Sequence, residues 1–174
     1  MPTTGLNLPH SVERSAWSFD SDHMLGKTVP RKDKHVAYQI TLELLADMAG
    51  LEKADKTLDE LALAVHLPEE TLFQVRLVLE EVLMNVISYG AGGGAVPHVQ
   101  LNMAQKDGTL SMEIADNGIA FDPLQLPAPD LDAEIDDRPI GGLGIFLVRE
   151  LMDSVTYRRD GDWNRLMVTK TVPT

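Results

Sequence analysis

Apolar residues recur every three or four positions along residues 67–90, and this spacing predicts one long helix. Pro68 suits the first helical position, and the acidic pair Glu69 and Glu70 favours the positive end of the helix dipole. Gly90 then ends the helix, because glycine is a poor helix former. The segment is therefore interpreted as a continuous helix of about six turns.

Strands are predicted where apolar and β-branched residues alternate. The first is VAYQITLEL, residues 36–44, and a short helix with apolar residues at core spacing follows at residues 57–66. Two hairpins are predicted after the long helix. They pair HVQLNMAQ with TLSMEIAD through a turn at residues 106–108, and SVTYRRD with WNRLMVTKTV through a turn at Gly161.

Two segments show neither the helical spacing of three or four residues nor the alternation of a strand. Residues 1–35 mix Pro, Ser, Asp and isolated apolar residues, so we expect an N-terminal tail that is flexible or binds a partner. Residues 117–140 are rich in Pro and Asp, and an irregular segment of this length inside a domain is typical of a lid. The folded domain is therefore expected to span residues 36–174.

The charge balance narrows the classes of partner. Lys and Arg total 15 against 27 Asp and Glu, a formal net charge of −12, so a surface that binds nucleic-acid phosphates is not expected. The chain has no cysteine, which excludes disulfides and thiolate metal sites. No apolar run is long enough to cross a bilayer, and the first residues lack the pattern of a secretory signal. We therefore expect a soluble cytoplasmic protein that binds proteins or small molecules.

Polar side chains form two stripes on the long helix. One stripe contains Glu81 and Asn85, and the opposite side carries Arg76 and Glu80. Apolar residues fill most of the circumference between them, so if one stripe faces water, the other faces a cavity or an interface. The alternative is that both stripes are partly solvated surface. The spacing of Glu81 and Asn85 would bring a carboxylate and an amide carbonyl together, which suits a hard cation beside a general base.

The predicted strand TLSMEIAD ends at Asp116, which Asn117 and Gly118 follow. An aspartate in this position either builds a turn or accepts a hydrogen bond from a ligand amine. Gly118 would let the backbone approach a planar ligand, because it has no side chain.

A cluster of glycines, Gly141, Gly142 and Gly144, precedes an apolar pattern with helical spacing. Glycine is a poor helix former, so its presence at a helix start needs a reason. The cluster is either a tight turn into the helix or a helix N-terminus whose exposed amides bind an anion.

The order of these features resembles the GHKL family of ATPases. The helix with Glu81 and Asn85, the strand end with Asp116, the lid and the glycine-rich helix start correspond to the N box, first glycine box, lid and second glycine box. The resemblance is carried by EEVLMNVISYG, IADNGIAFDP and GGLGIFLVRELMDSV, and extends from residue 36 to the C-terminus. Within the family, these stretches are most similar to the anti-sigma-factor serine/threonine kinases of bacterial partner-switching systems.

The resemblance implies an α+β fold of the Bergerat, or histidine-kinase-like ATPase, type. Such a domain is a two-layer α/β sandwich with a mixed, mostly antiparallel sheet and helices on one face, which agrees with the predicted element order. The resemblance also implies that ATP and Mg²⁺ bind between the long helix and the lid.

Roles for individual side chains follow from the same resemblance. Glu81 would be the catalytic base that takes the proton from a serine or threonine hydroxyl. Asn85 would ligate Mg²⁺, and Asp116 would bind the adenine amine.

The remaining cofactor-binding candidates are glycines and one arginine. Gly118 would admit the base, and Gly142 and Gly144 would offer amides to the phosphates. Arg138 is a candidate contact for the γ-phosphate. The chain departs from the family pattern at Ala120, where many relatives have a second glycine, and at Tyr89, where some have histidine, and Arg138 lies a little upstream of the expected arginine.

Two functions are compatible with this resemblance. The first is an anti-sigma regulatory factor: a serine/threonine protein kinase that phosphorylates an anti-anti-sigma antagonist of the STAS type and sequesters a sigma factor. The second is a nucleotide-dependent protein-binding module of the same fold without phosphotransfer. Relatives of this kind dimerise, so a homodimer is among the assemblies that the resemblance implies.

Overall fold

Alternating apolar residues build one five-stranded sheet in the part of the chain that the computed structural model describes, residues 38–125 and 142–173. The strands are β1 (Tyr38–Leu45), β2 (His98–Lys106), β3 (Thr109–Asp116), β4 (Ser154–Asp160) and β5 (Trp163–Thr171). Their order across the sheet is β1, β2, β3, β5, β4, and every neighbouring pair is antiparallel. Both predicted hairpins are confirmed. The sheet was predicted to be mixed, but it contains no parallel pair within these residues.

Helices cover one face of the sheet: α1 (Met48–Val65), α2 (Glu69–Tyr89) and α3 (Gly142–Leu151). Inward-facing strand residues join the buried helix residues in one apolar core. Its largest fully buried side chains include Leu58, Leu79, Leu83, Leu101 and Met112. This arrangement confirms the predicted α+β sandwich. None of the helices within the described ranges is long and apolar enough to span a bilayer.

The helix α1 begins at Met48, whereas the apolar spacing predicted a start at residue 57. The Asp47 carboxylate caps the helix by accepting a hydrogen bond from the Gly50 amide at 2.7 Å. A side chain at Gly50 would overlap the Leu45 carbonyl, so the turn from β1 into α1 requires glycine. The helix ends at His66, whose left-handed backbone (φ 54°) lets its amide bond back to the last turn. The predicted start was wrong because the actual start of α1 is set by the side-chain cap of Asp47 and not by the spacing of apolar residues.

The long helix α2 lies where it was predicted, between Pro68 and Gly90 as its flanking residues. Its polar stripe at Arg76 faces α1, where the guanidinium pairs with Asp55 and Asp59. This side of α2 is therefore an interface with another helix. The Arg76 side chain is still 27% exposed, so this stripe is also partly solvated, which agrees with the alternative prediction for it.

The predicted tail, residues 1–35, lies outside the described residues, and so does most of the predicted lid. The described part of the lid, residues 117–125, includes the short 3₁₀ helix Pro123–Gln125. Arg149 of α3 donates a hydrogen bond to the carbonyl of Leu124, which attaches this short helix to α3.

Arg76→Ala is expected to lower the free energy of unfolding by about 1 kcal/mol. The change leaves Asp55 and Asp59, one turn apart on α1, without the guanidinium that neutralises them. Urea unfolding measures the loss, which added salt should reduce. Lys56→Ala is the matched control, because Lys56 and Glu52 pair on the surface with each side chain 69% exposed. Equal losses in the two variants would contradict the prediction.

Candidate functional site

A cleft lies between α2, the adjacent ends of β3 and β5, and the start of α3, and its empty space of about 610 Å³ includes open solvent at its mouth. Polar side chains enter it at few places, and these include Asn85 and Asp116. Its apolar walls include Val82, Val86, Ile114, Ile119, Phe121 and Ile145. An apolar cleft with a few convergent polar groups is the usual form of a small-molecule site. The fold thus brings together two predicted site residues that are far apart in the sequence.

The carboxylate of Asp116 stands at the end of β3 and is 7% exposed. Its Oδ1 atom accepts hydrogen bonds from the Gly118 amide and from the Asn164 side chain, each at 2.9 Å. In the described ranges, all hydrogen bonds to this carboxylate reach Oδ1. Asp116 lines the cleft, and an ionised carboxylate can accept a further hydrogen bond from a donor there.

Burial raises the pKa of Asp116 above its ordinary value, because the cleft disfavours the charged form. The hydrogen bonds from Asn164 and Gly118 and the positive charge of Arg159 act in the opposite direction. An ionised Asp116 accepts hydrogen bonds only, whereas a protonated one also donates. By shifting the balance between these two forms of Asp116, Asn164, Gly118 and Arg159 influence which ligands the cleft accepts.

Asn164 was not among the predicted site residues, although it lies at the centre of the polar groups in the cleft. It is 6% exposed on β5, directly opposite Asp116 of β3. Its Nδ2 atom donates to Asp116 Oδ1 at 2.9 Å and to the Ile119 carbonyl at 2.8 Å. A signal was present in the sequence, because Asn164 shares the inward-facing alternation of Leu166 and Val168.

Gly118 lies against the end of α2. A side chain there would come within 2.7 Å of the Gly90 carbonyl and 2.8 Å of Asp116 Oδ1. The next residue, Ile119, donates its amide to the same Gly90 carbonyl at 2.9 Å. The loop therefore needs glycine at this position for close packing of two backbones, in addition to any role toward a ligand.

Glu81 and Asn85 project from adjacent turns of α2 toward α3. A Cβ on Gly144 would overlap the Glu81 carboxylate, so this carboxylate lies directly against the first turn of α3, beside the cleft-lining Ile145. Within the described residues, the Asn85 Nδ2 atom is buried without a hydrogen-bond partner. A buried amide group without a partner is costly, and a bound ligand is one way to satisfy it.

The other predicted site residues lie in or near the segment that is not described. Gly142 begins α3, so the glycine cluster does stand at a helix N-terminus. Arg138 and Gly141 lie outside the described residues. No group of three or more His, Asp or Glu side chains in residues 38–125 and 142–173 could hold a metal ion by itself.

Residues 44–170 match the model of the histidine kinase-like ATPase domain family. The chain belongs to this family. The match includes α2 with Glu81 and Asn85, the end of β3 with Asp116, and the start of α3. The predicted family resemblance is confirmed, and the three motifs occupy one cleft of a histidine kinase-like ATPase domain.

Curated relatives of this domain include named protein kinases. The serine/threonine-protein kinase BtrW of Bordetella bronchiseptica is 33% identical over 129 residues, which cover 74% of this chain and 91% of the relative. The serine-protein kinase RsbW of Listeria monocytogenes serovar 1/2a is 24% identical over 126 residues, covering 70% of this chain and 80% of the relative. RsbW of Listeria innocua is 23% identical with the same coverage.

Asp116→Asn is expected to gain stability relative to the wild type as pH rises. Because burial raises the pKa of Asp116, the folded wild type binds more protons than the unfolded chain between the ordinary and the raised pKa, and it loses stability as pH rises through that window. Asparagine keeps an acceptor oxygen for Gly118 and Asn164 and carries no charge. Urea unfolding from about pH 4 to about pH 8 measures the difference. A difference that stays constant or shrinks with rising pH would contradict this assignment.

Proposed function

We propose that this histidine kinase-like ATPase domain is an ATP-dependent serine/threonine protein kinase. One arrangement carries the proposal: the Glu81 carboxylate lies against Gly144 in the first turn of α3, next to a cleft lined by Asn85 and Asp116. A carboxylate in this position can accept a proton beside a helix N-terminus, where phosphate groups bind favourably. The names of BtrW and RsbW support the same chemistry.

The cleft could bind a nucleotide through polar groups at its two ends: Asp116 at one end and the backbone amides of α3 at the other. Asp116 would accept a hydrogen bond from the adenine amine, and the apolar walls would enclose the base. The phosphates would extend toward α3, where Gly142 and Gly144 can offer backbone amides without side chains in the way. Arg138, in the predicted lid, remains our candidate for contact with the γ-phosphate.

The residues beside the cleft also fit Mg²⁺. Asn85 lines the cleft, and its amide oxygen would be a suitable hard ligand, while its Nδ2 atom, without a partner in the described residues, could donate to a phosphate oxygen. Mg²⁺ is usually held by one or two protein oxygens together with substrate phosphates, which agrees with the absence of an acidic cluster from the described ranges. Once bound, the ion would neutralise negative charge on the phosphates.

In the proposed reaction, Glu81 accepts the proton of the acceptor hydroxyl while that oxygen forms a bond to the γ-phosphorus. The bond from the γ-phosphorus to the bridging oxygen breaks, and ADP leaves with the electron pair. The amides at the start of α3 would stabilise the charge on the transferred group. The chain thus contributes position, a proton acceptor and a favourable electrostatic environment.

The acceptor and the binding partner are the finer part of the proposal. The family resemblance supports an anti-anti-sigma protein of the STAS type as the acceptor, and a sigma factor as a second protein that the kinase sequesters in the cytoplasm. The net charge of −12 favours regulation through protein contacts over direct binding to nucleic acid.

The alternative is a nucleotide-dependent binding module that transfers no phosphate. Such a module needs Asp116 and the cleft, but it does not need a carboxylate against the start of α3. The position of Glu81 therefore favours the kinase, and substitution of this residue separates the two functions.

Glu81→Gln is expected to reduce phosphate transfer at least 100-fold, an order-of-magnitude figure for loss of a general base. Its affinity for ATP should remain close to that of the wild type, because the amide keeps the size of the side chain. Phosphate incorporation into STAS proteins of the same genome measures transfer, and calorimetric titration measures binding. Glu80→Gln is the matched control, since this neighbouring glutamate does not lie against Gly144. Full transfer by Glu81→Gln would exclude Glu81 as the base.

ATP binding is expected to weaken at least about tenfold when Mg²⁺ is chelated. The reason is that a chain of net charge −12 repels a bare triphosphate. Asn85→Ala should remove most of the difference between Mg²⁺ and chelator, whereas Ser88→Ala, at an exposed position further along α2, should not. Calorimetric titration with and without chelator measures both. Undiminished Mg²⁺ dependence in Asn85→Ala would show that another group holds the ion.

A further inference from the structure

We propose that Asn164 is a positioning residue for purine recognition: its amide holds the Asp116 carboxylate so that one oxygen faces the cleft, and this makes the site prefer a 6-amino purine to a 6-oxo purine. The inference rests on the proposed nucleotide-binding function. It adds a residue from β5, outside the three motifs that identify the family.

The position of Asn164 is set by the sheet. It lies opposite Asp116 of β3 on one side and opposite Arg159 of β4 on the other. At 6% exposure it is a polar residue on the inner face of β5, beside the buried Leu166 and Val168. A buried amide in this place must satisfy its donors and acceptor within the protein.

The neighbours of the Asn164 amide fix its orientation. Its oxygen accepts hydrogen bonds from the Tyr157 hydroxyl at 2.9 Å, from Arg159 Nη1 at 2.8 Å and from the Phe121 amide at 3.3 Å. Its nitrogen donates to Asp116 Oδ1 and to the Ile119 carbonyl. Turning the amide over would place its nitrogen against N–H donors and its oxygen against a carboxylate and a carbonyl. The donor is therefore held toward Asp116.

This donor has a chemical consequence for Asp116. Asn164 and Gly118 are both bonded to Oδ1, so Oδ2 is the oxygen left to accept a hydrogen bond from a ligand in the cleft that Asp116 lines. An ionised carboxylate accepts a hydrogen bond from the amine of a 6-amino purine and repels the carbonyl of a 6-oxo purine. A protonated Asp116 would lose this discrimination, because its hydroxyl could donate to a carbonyl. A rotated Asp116 would lose it because the accepting oxygen would no longer face the amine.

The same amide also holds the wall of the cleft. Through the Ile119 carbonyl and the Phe121 amide it fixes a loop that lines the cleft beside the base position. Among the described residues, the charged and titratable groups around the pair are Arg159 and Tyr157 on β4, Asp122 in the loop, and Tyr89 of α2, which lines the cleft.

Two variants separate positioning from simple structural support. Asn164→Ala removes the donor, so the pKa of Asp116 should rise, and ATP affinity should be lowest at acid pH and recover as pH rises. Asn164→Asp keeps the size and an acceptor oxygen but sets two carboxylates together. A shared proton would restore the donor at acid pH, so ATP affinity in this variant should fall as pH rises.

The experiment is calorimetric titration of the full chain with Mg-ATP and Mg-GTP from about pH 5.5 to about pH 8.5. Comparison with the wild type at each pH removes the titration of the nucleotide itself. We expect the preference for ATP over GTP to fall about tenfold in each variant at its unfavourable pH. Asn102→Asp is the matched control: Asn102 lies on β2, where it accepts a hydrogen bond from Thr41 at 2.8 Å. Circular dichroism verifies folding, and Asn164→Asp remains informative if Asn164→Ala does not fold.

Opposite pH slopes in the two variants, with reduced preference for ATP, would support the positioning role. Equal losses at every pH with unchanged preference would reduce Asn164 to structural support and overturn the inference, as would wild-type behaviour of both variants. A folded wild type that binds neither nucleotide would overturn the proposed function and this inference with it. If the wild type binds ATP normally and the variants give one of these overturning results, the inference alone fails and the proposed function stands.

Discussion

A carboxylate placed at the end of an apolar core is the constraint on which this structure depends. Burial of Asp116 would be costly without partners, and the surrounding elements supply them. The neighbouring strand contributes the Asn164 amide, the following loop contributes the Gly118 amide, and the edge strand contributes the charge of Arg159. The register of three strands and the path of one loop are therefore tied to a single side chain.

The helix α2 connects this polar end of the cleft to the place where phosphate would be transferred. On one side it is held to α1 through Arg76 and its two aspartates, and on the other it meets α3 through Glu81 and Gly144. Val78 and Leu79, both fully buried, hold the same helix on the core. The proton acceptor is thus placed by a helix that is fixed from three directions, which suits a group that must keep its position during the reaction.

Periodicity, together with terminal and turn residues such as Pro68, Gly90 and Gly161, predicted α2 and both hairpins, because these elements bury long amphipathic faces that leave a clear pattern. The start of α1 could not be predicted in this way, since it depends on the Asp47 cap and on Gly50 beside a strand end. Local patterns also identified Asn85 and Asp116 as polar residues of interest. Their meeting in one cleft was implied by the family resemblance and not by the local patterns. The place of Asn164 opposite Asp116 depends on cross-strand register, which a single sequence does not show.

The contact between Gly90 and Gly118 has a consequence for how such chains diverge. The carbonyl of Gly90 accepts a hydrogen bond from the amide after Gly118, and the two glycine backbones are too close for a side chain at residue 118. The end of the EEVLMNVISYG motif and the centre of the IADNGIAFDP motif are therefore a single structural unit, although they lie far apart in the sequence. The obstacle at residue 118 is a backbone carbonyl, which any residue at position 90 would carry, so a family alignment should show glycine retained at position 118 whatever stands at position 90.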